Sequence, residues 1–349
     1  MSNDNKVIDI NNIKSKILPN FFLNDADIIM VKFKDTDKQR AVFKVTSNNQ
    51  SYCLKKVYYD EKNLLFVYSA MEWLYRNNVK VPKLLPSSDH NRFIYLDDML
   101  FILTPWVDGV KCNFDSTTDV RLSIKTLGKL HKCSRNFIPI SGSAERIGLD
   151  NYYLSINKHF NEILETANLA STYNDKFSKI FLDNLDNNLS LAKLSLEISS
   201  SINTSDLSIS LCHGDYVNKN ILISKNSDVW IIDFDKCKID YSAHDLSYFL
   251  RRLLKRATTN WSIPLTIDII DTYNEVNKLT SSDLKYILAY LAFPQKFWKI
   301  SRDYYKNISK CNKNSFISLF TKGLERSSEQ LDYINKMIEI FERYYNVKF

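Results

Sequence analysis

Two carboxylates and one amide, those of Asp215, Asn220 and Asp233, stand out in the segment 211–235, which reads LCHGDYVNKNILISKNSDVWIIDFD. Phosphoryl transfer to a hydroxyl or amine uses such a set. One carboxylate orients the acceptor and takes its proton, while a second carboxylate and an amide oxygen hold the Mg²⁺ that neutralises the nucleotide phosphates. In this interpretation Asp215 is the base, and Asn220 and Asp233 are the metal ligands. A lone HGD would mean little, because Asp and Gly are common turn residues.

A small hairpin must position these three side chains. The apolar runs 221–223 and 229–232 flank a polar turn at 225–228, which predicts two short antiparallel strands. A polar loop, 213–220, precedes the first strand. We therefore expect the three side chains to meet at one end of the hairpin.

The beginning of the chain predicts a small sheet followed by a helix. Three strand-like runs are joined by polar turns, at 28–34, 41–46 and 51–58. Alternation along the third run places Lys55 and Lys56 on opposite faces. A helix predicted for 60–75 follows, and it contains Glu61 and Glu72.

These motifs resemble the aminoglycoside phosphotransferase and choline kinase group, which is related to the protein kinases. HGD, an Asn five residues after its Asp, and IIDFD resemble the Brenner and metal-binding motifs of that group. The resemblance implies that Lys55 holds the nucleotide phosphates, with Lys56 as the alternative. It also implies a bracing carboxylate, for which we favour Glu72, since Glu61 follows the strand too closely. Asp235 stands where protein kinases have the glycine of D-F-G, and would add to the metal shell.

Other residues take their expected roles from the same resemblance. TPWVDG at 104–109 resembles the hinge between the lobes, where backbone groups near Trp106 and Val107 would meet adenine; a strand ending in a turn predicts the same letters. His213 is expected to be architectural and His131 to be packed. Asp245 opens a predicted helix, where it would cap the N-terminus, and its family counterpart also braces the catalytic loop.

The last third of the chain narrows the resemblance. LAFPQKFWKISRDYY at 291–305, together with CHGDY, resembles the spore-coat kinases of the CotS type, a branch of this superfamily. The resemblance implies an α+β, two-lobed protein-kinase-like fold. Residues 1–105 would form a nucleotide-binding lobe with an antiparallel sheet, and 106–349 a mainly helical lobe with the catalytic loop and acceptor site. It also implies ATP and Mg²⁺ as cofactors, a sugar, polyol or amino alcohol as acceptor, and a place in the spore coat beside other coat proteins.

Composition agrees with a two-lobed soluble protein. The 349 residues suggest two domains, and 44% hydrophobic with 25% charged residues is ordinary for a globular chain. The net charge of +7 is modest and its cations are interspersed with acids, which argues against nucleic-acid binding. No apolar run approaches the ~20 residues of a membrane span, and the polar N-terminus indicates cytoplasmic synthesis. Six scattered cysteines and five histidines offer no zinc spacing.

Two alternatives remain at this point. The turn DTDKQR between the first two predicted strands contains no glycine, although kinases usually place glycines there to let backbone amides approach the phosphates. This favours a catalytically weak or inactive coat-assembly or carbohydrate-binding protein on a kinase scaffold, whereas the intact set of Lys55, Asp215, Asn220 and Asp233 argues against it. An antibiotic-modifying enzyme would instead need an acidic acceptor pocket.

A helical stripe in the segment 291–305 also has two interpretations. Phe297, Ile300 and Tyr304 share one face and are expected to be core. Trp298, Arg302 and Tyr305 lie beside that face, and would suit the wall of an acceptor pocket for a sugar or a quaternary amine.

Overall fold

The structure, a computed structural model, describes residues 9–34 and 40–349, with only the backbone described at Lys34. The chain forms two compact units, each built from separate stretches. The first unit takes the chain up to Cys112 and then Cys133–Ile147 and Asn218–Cys237. The second unit takes Asn113–Lys132, Gly148–Val217 and Lys238–Phe349. The single lobe boundary expected after residue 105 stays a prediction.

An antiparallel sheet of five strands forms the main part of the first unit. Its strands are paired in the order β1-β2-β3-β5-β4. Their bounds are β1 Asp27–Lys34, β2 Arg40–Ser47, β3 Gln50–Lys56, β4 Ile94–Leu96 and β5 Met99–Pro105. Alternate residues of β2, namely Ala41, Phe43 and Val45, are fully buried, as expected for a sheet with one face on a core. The three predicted N-terminal strands are confirmed.

Helical segments cover parts of this sheet. The chain enters through α1, Ile10–Asn12, which continues as a π-helical turn Ile13–Ile17 and a 3₁₀ turn Leu18–Phe21. Ile13, Ile17 and Leu18 pack into the same core as β2. The predicted helix after β3 is confirmed as α2, Glu61–Arg76, whose first turn is capped by the Asp60 carboxylate accepting from the Asn63 N–H.

A second, smaller sheet in the first unit contains the predicted hairpin. Its strands are β6 Val110–Lys111, β8 Ile221–Ile223 and β9 Val229–Ile231, paired antiparallel in the order β6-β8-β9.

The β4–β5 connection of the five-stranded sheet, at Asp97 and Asp98, has φ angles of 47° and 63°. Asp tolerates this left-handed region better than most residues, so the turn follows from the sequence.

The second unit is mainly helical, with one two-stranded ribbon of β7 and β10. Its elements are α3 Thr117–Cys133, α4 Tyr152–Thr172, α5 Lys176–Asp183, α6 Leu185–Ser200, β7 Ile209–Cys212, β10 Lys238–Tyr241, α7 Ser242–Leu254, α8 Ile263–Val276, α9 Ser281–Ala292, α10 Gln295–Lys306, α11 Lys313–Leu324 and α12 Ser327–Tyr344. With the sheet of the first unit, this gives the predicted α+β, kinase-like fold. No helix in the described stretches is long and apolar enough to cross a membrane.

The helical stretch between Lys176 and Ser200 is not continuous. It is divided into α5 and α6 at Asn184, whose φ and ψ are −112° and 8°. The Asn184 side-chain amide donates to the Ile180 carbonyl at 2.9 Å. Such local side-chain bonds compete with the regular helical pattern.

Candidate active site

The β8–β9 hairpin pairs Asn220 with Ile232, the residue that precedes Asp233. The Ile232 N–H donates to the carbonyl oxygen of Asn220 at 3.0 Å. Asn220 is 4% exposed and ends a 3₁₀ turn directly before β8. The predicted meeting of Asn220 and Asp233 at one end of the hairpin is therefore supported by the backbone. Asp215 belongs to the second unit, and its place beside them stays a prediction.

Asp233 has an unusual backbone conformation. Its φ of 68° and ψ of 63° lie in the left-handed region, which costs L-residues roughly 1–2 kcal/mol. The 3₁₀ turn Phe234–Lys236 begins directly after it and contains Asp235. This turn presents two carboxylates to the same neighbour.

That neighbour is Lys55, on β3. Its Nζ lies 2.7 Å from Oδ1 of Asp233 and 2.6 Å from Oδ1 of Asp235. Burial lowers the pKa of Lys55, but the charges of Asp235 and Asp233 outweigh burial and hold its pKa above the ordinary value. The two carboxylates thus favour the charged form of the ammonium and share it.

Asp235 is the least hydrated member of this cluster. It is 3% exposed, and among the described residues its Oδ2 has no hydrogen-bond partner. Nη1 of Arg40 lies 3.7 Å from Oδ2. Arg146 donates to the Asp235 carbonyl oxygen, and Tyr59 Oη lies 3.4 Å from Oδ1.

These oxygens fit a divalent cation. Mg²⁺ prefers carboxylate and amide oxygens, and the first unit offers them in Asp233, Asp235 and Asn220. Oδ2 of Asp235 is buried and accepts no hydrogen bond from the residues that the structure describes, which leaves this oxygen available to a metal ion. The sequence indicated Asp235 through the letters DFD, whereas no motif pointed to Arg146.

The predicted ion pair between Lys55 and Glu72 is wrong. Glu72 Oε1 instead accepts from Nε of Arg76 at 2.8 Å, because residues four apart on α2 lie on the same face of the helix. Glu61, the fallback, accepts from Tyr95 Oη at 2.8 Å. The carboxylates that hold Lys55 come from the turn after β9 and not from α2.

The predicted hinge follows β5, and its role with adenine stays a prediction. The Trp106 N–H donates to the Ser51 carbonyl at 2.9 Å. Lys44 Nζ lies 5.1 Å from the centroid of the Trp106 ring. Because this N–H is engaged within the sheet, it is not available to a purine edge.

In the second unit, Asp245 fixes the backbone of the loop that contains Asp215. Its Oδ2 accepts from the His213 N–H at 2.6 Å and its Oδ1 from the Gly214 N–H at 2.9 Å. The φ of Gly214 is 74°, a conformation that glycine adopts without steric cost. The Asp215 N–H donates to Nδ1 of His213 at 3.2 Å. The expected architectural role of His213 is confirmed by these contacts and by its complete burial.

Asp245 braces the loop and does not cap its helix. Helix α7 begins at Ser242, with Tyr241 at the cap position, so the predicted N-cap role is wrong. His131 is fully buried as predicted, with Nε2 3.4 Å from Asp245 Oδ2 and Nδ1 2.7 Å from Tyr273 Oη. Burial raises the pKa of Asp245, but the hydrogen bond and charge of His131 bring it down to about 2.

We expect Asp245→Asn to destabilise the protein by about 3 kcal/mol at neutral pH, because the amide cannot accept from both backbone N–H groups as well as the carboxylate does. The folded pKa of Asp245, about 2, lies below the ordinary value of 3.8. The carboxylate therefore stabilises the fold above about pH 4, and its contribution is lost as pH falls toward 2. Urea unfolding at pH 7 and pH 3 measures this.

The gap in unfolding free energy between wild type and Asp245→Asn should shrink at the lower pH. Asp268→Asn is the matched control, since Asp268 is a more exposed carboxylate paired with Arg121. An equal gap for Asp245→Asn at both pH values would contradict the bracing role.

The stripe on α10 is mostly core. Phe297 and Tyr304 are 2% and 0% exposed, as predicted. Trp298 is also buried, and its Nε1 donates to Glu162 Oε2 at 2.6 Å. Tyr305 Oη lies 2.7 Å from Ser178 Oγ. Their contacts with α4 and α5 favour packing over a pocket wall.

Comparison with known proteins finds similarity to phosphotransferases, in sequence and in fold. A sequence model described as "Phosphotransferase enzyme family" (APH) matches residues 34–278. The fold is similar to that of an aminoglycoside phosphotransferase from Alicyclobacillus acidocaldarius subsp. acidocaldarius DSM 446, with a TM-score of 0.75 at 17% identity, over 90% of this chain and 94% of that one.

Two further solved structures share the fold. A microcompartment-associated aminopropanol kinase has a TM-score of 0.59 at 12% identity, covering 90% of this chain and 93% of its own. A spectinomycin phosphotransferase in complex with ADP and spectinomycin has a TM-score of 0.56 at 19% identity, covering 89% and 88%. At these identities the likeness concerns the fold.

Proposed function

Because the chain belongs to the phosphotransferase enzyme family, with residues 34–278 matching it, we propose that it is an ATP- and Mg²⁺-dependent kinase. Its acceptor would be a small molecule with a hydroxyl or amino group, such as a sugar, polyol or amino alcohol. The observation that supports this best is Lys55 Nζ held between Oδ1 of Asp233 and Oδ1 of Asp235. A strand lysine beside the carboxylates of a metal-binding turn is what a nucleotide phosphate site needs.

Different residues of the site would bind the metal, the phosphates and the adenine. Asn220, Asp233 and Asp235 would hold Mg²⁺, which neutralises phosphate charge when bound. Lys55 would exchange its carboxylate partners for nucleotide phosphates. Trp106 and Val107 would contact the adenine through the backbone.

Asp215 would orient the acceptor and take its proton. Its backbone N–H is fixed by His213, and its loop by Asp245. A general base must keep a fixed orientation toward each acceptor that binds. The bracing by Asp245 supports that role.

The coat-associated role rests on the resemblance of segment 291–305 to spore-coat kinases of the CotS type, and it is part of the proposal, as are cytoplasmic synthesis and partners in the coat. The nucleotide lobe is proposed to end near residue 105. A weakly active or inactive scaffold is the second candidate. The glycine-free turn that favours it falls on residues 35–40, and 35–39 lie outside the described residues.

A thermal-shift and calorimetric titration with ATP, with and without Mg²⁺, tests the nucleotide site. At 100 times its dissociation constant a ligand stabilises the fold by about 2.7 kcal/mol, which should raise the melting temperature by a few degrees. Asp233→Ala should abolish the Mg²⁺-dependent part of the shift, because it removes a proposed ligand.

Asp228→Ala is the matched control, since Asp228 belongs to the turn of the same hairpin and its side chain is 45% exposed. We expect this variant to bind like wild type. No binding by the wild-type protein at millimolar ATP would overturn the kinase proposal in favour of the scaffold.

A further inference from the structure

The second unit contains a cavity of about 450 Å³, within the size range of small-ligand sites. Helices α7, α10 and α12 supply many of its lining residues. Three arginines and four lysines line it, whereas Glu325 is the single acidic residue among the described residues of the lining. The cavity is therefore strongly positive, although the whole chain has a net charge of only +7.

The cations that line this cavity make no ion pair with a carboxylate of the described residues. Arg251 Nη1 donates to Gln295 Oε1, and its guanidinium carbon lies 3.8 Å from the centroid of the Tyr290 ring. Nε and Nη2 of Arg251 are buried and have no hydrogen-bond partner in the described part of the chain. Burial, with the charges of Lys296, Arg252 and Arg251, lowers the pKa of Lys255 to about 8. Like charges this close need an anion to balance them.

Two helix N-termini add to the positive field. Helix α10 begins at Gln295 and α12 at Ser327, and both residues line the cavity. Neither cap residue, Pro294 or Arg326, makes a side-chain cap in the described structure. The leading N–H groups of a helix attract anions, and here they reinforce the arginine and lysine side chains.

The cavity is connected to Asp215 through one side chain. Tyr248 lines the cavity, and its Oη donates to Oδ1 of Asp215 at 3.4 Å. Arg252, another lining residue, donates from Nη2 to the same Tyr248 Oη at 2.8 Å. A molecule in the cavity would thus contact Tyr248, whose hydroxyl is hydrogen-bonded to the proposed base.

We propose that this cavity binds the anionic end of the phosphoryl acceptor, so that the acceptor is a hydroxylated acid: a sugar phosphate, a sugar acid or a similar anionic polyol. This rests on the proposed function, because Asp215 must be the base for the cavity to be an acceptor site. A polycationic aminoglycoside would meet seven like charges, which disfavours binding. The phosphoryl group would be transferred from ATP to an acceptor hydroxyl, whose proton passes to Asp215 as ADP leaves.

Calorimetric titration without nucleotide tests the cavity separately from the kinase activity. Three probes share one ring and differ in charge: glucose 6-phosphate, glucose and glucosamine. We expect glucose 6-phosphate to bind at millimolar concentration or below, more weakly as salt is raised, and glucose and glucosamine to bind at least tenfold more weakly. Equal or tighter binding of glucosamine, or no binding of glucose 6-phosphate, would overturn the proposal.

Lysine variants locate the site. Lys255→Gln and Lys296→Gln should each weaken glucose 6-phosphate binding by about tenfold or more, since each removes a positive charge and a charge-assisted hydrogen bond to the anion. Lys193→Gln, an exposed lysine on α6 paired with Glu197, should leave it unchanged. Equal affinity in all three variants would place the anion elsewhere and overturn the proposal.

The two proposals fail in different ways. The protein could bind the anion in a Lys255-dependent way and yet show no Mg²⁺-dependent ATP binding. That result would overturn the kinase proposal and, with it, the acceptor role of the cavity. Intact ATP binding with no anion binding would overturn only the proposal that the cavity binds the acceptor. Asp233→Ala should bind glucose 6-phosphate like wild type, which checks that the probe does not report on the nucleotide site.

Discussion

Asp215→Asn is expected to lower the turnover number by about 10² to 10⁴, which corresponds to roughly 3–5 kcal/mol in the barrier. The amide has the shape of the carboxylate but cannot take a proton from the acceptor. Asp215 is 8% exposed, and its loop is fixed by backbone hydrogen bonds to His213 and Asp245. The substitution should therefore leave the loop in place.

Steady-state kinetics on an established acceptor measures the loss, with the dissociation constant of ATP determined in parallel. We expect ATP affinity to change little, because the proposed nucleotide ligands lie in the first unit. Asp186→Asn, at an exposed position on α6, is the control and should keep full turnover. Full turnover in Asp215→Asn would show that another group is the base.

Lys55→Met is expected both to weaken ATP binding and to destabilise the nucleotide-free protein by about 3 kcal/mol at pH 8. Removing one partner of a buried ion pair leaves the other charge uncompensated. Here two carboxylates lose the ammonium that separates them, at 2.7 Å and 2.6 Å. Asp233 retains 27% exposure of its side chain, so water screens part of the cost.

The pH dependence gives this effect a signature. Without Lys55, the negative charges of Asp233 and Asp235 repel each other across the position that its ammonium occupied. Acid weakens this repulsion because it reduces the negative charge on carboxyl groups. The variant should therefore recover part of its lost stability between pH 8 and pH 5.

Urea unfolding of wild type and Lys55→Met at the two pH values checks this. Lys62→Met, at an exposed position on α2, should behave like wild type at both. If Lys55→Met were equally unstable at pH 5 and pH 8, the ion pairs of Lys55 would not be what stabilises this region.

Local signals explain what the sequence could predict. The β8–β9 hairpin and the turn at Asp97 and Asp98 follow from alternation and turn residues within a short stretch. Burial of Phe297 likewise follows from helical spacing. Each of these inferences needs only neighbours along the chain.

Long-range partners explain what it could not. Lys55 is separated by 178 and 180 residues from Asp233 and Asp235, and helical spacing pointed to Glu72 instead. Glu72 pairs instead with Arg76, four residues away. Asp245 has the residue type of a helix cap, yet it is used by a loop more than thirty residues earlier, with separations of 32 and 31 to His213 and Gly214. The basic cavity collects residues from Asn188 to Gln330, which no motif connects.

The discontinuous first unit also constrains when the protein can fold on the ribosome. Its last stretch ends at Cys237. Strand β6 can pair with β8 only after β8 has been synthesised. Synthesis proceeds at ≈ 5–20 residues per second, so about 10 to 40 seconds separate the emergence of Lys55 from that of Asp235, 180 residues later. During that interval the nascent sheet contains a lysine without either of its aspartates. Completion of the first unit therefore comes late in translation, after most of the chain has been made.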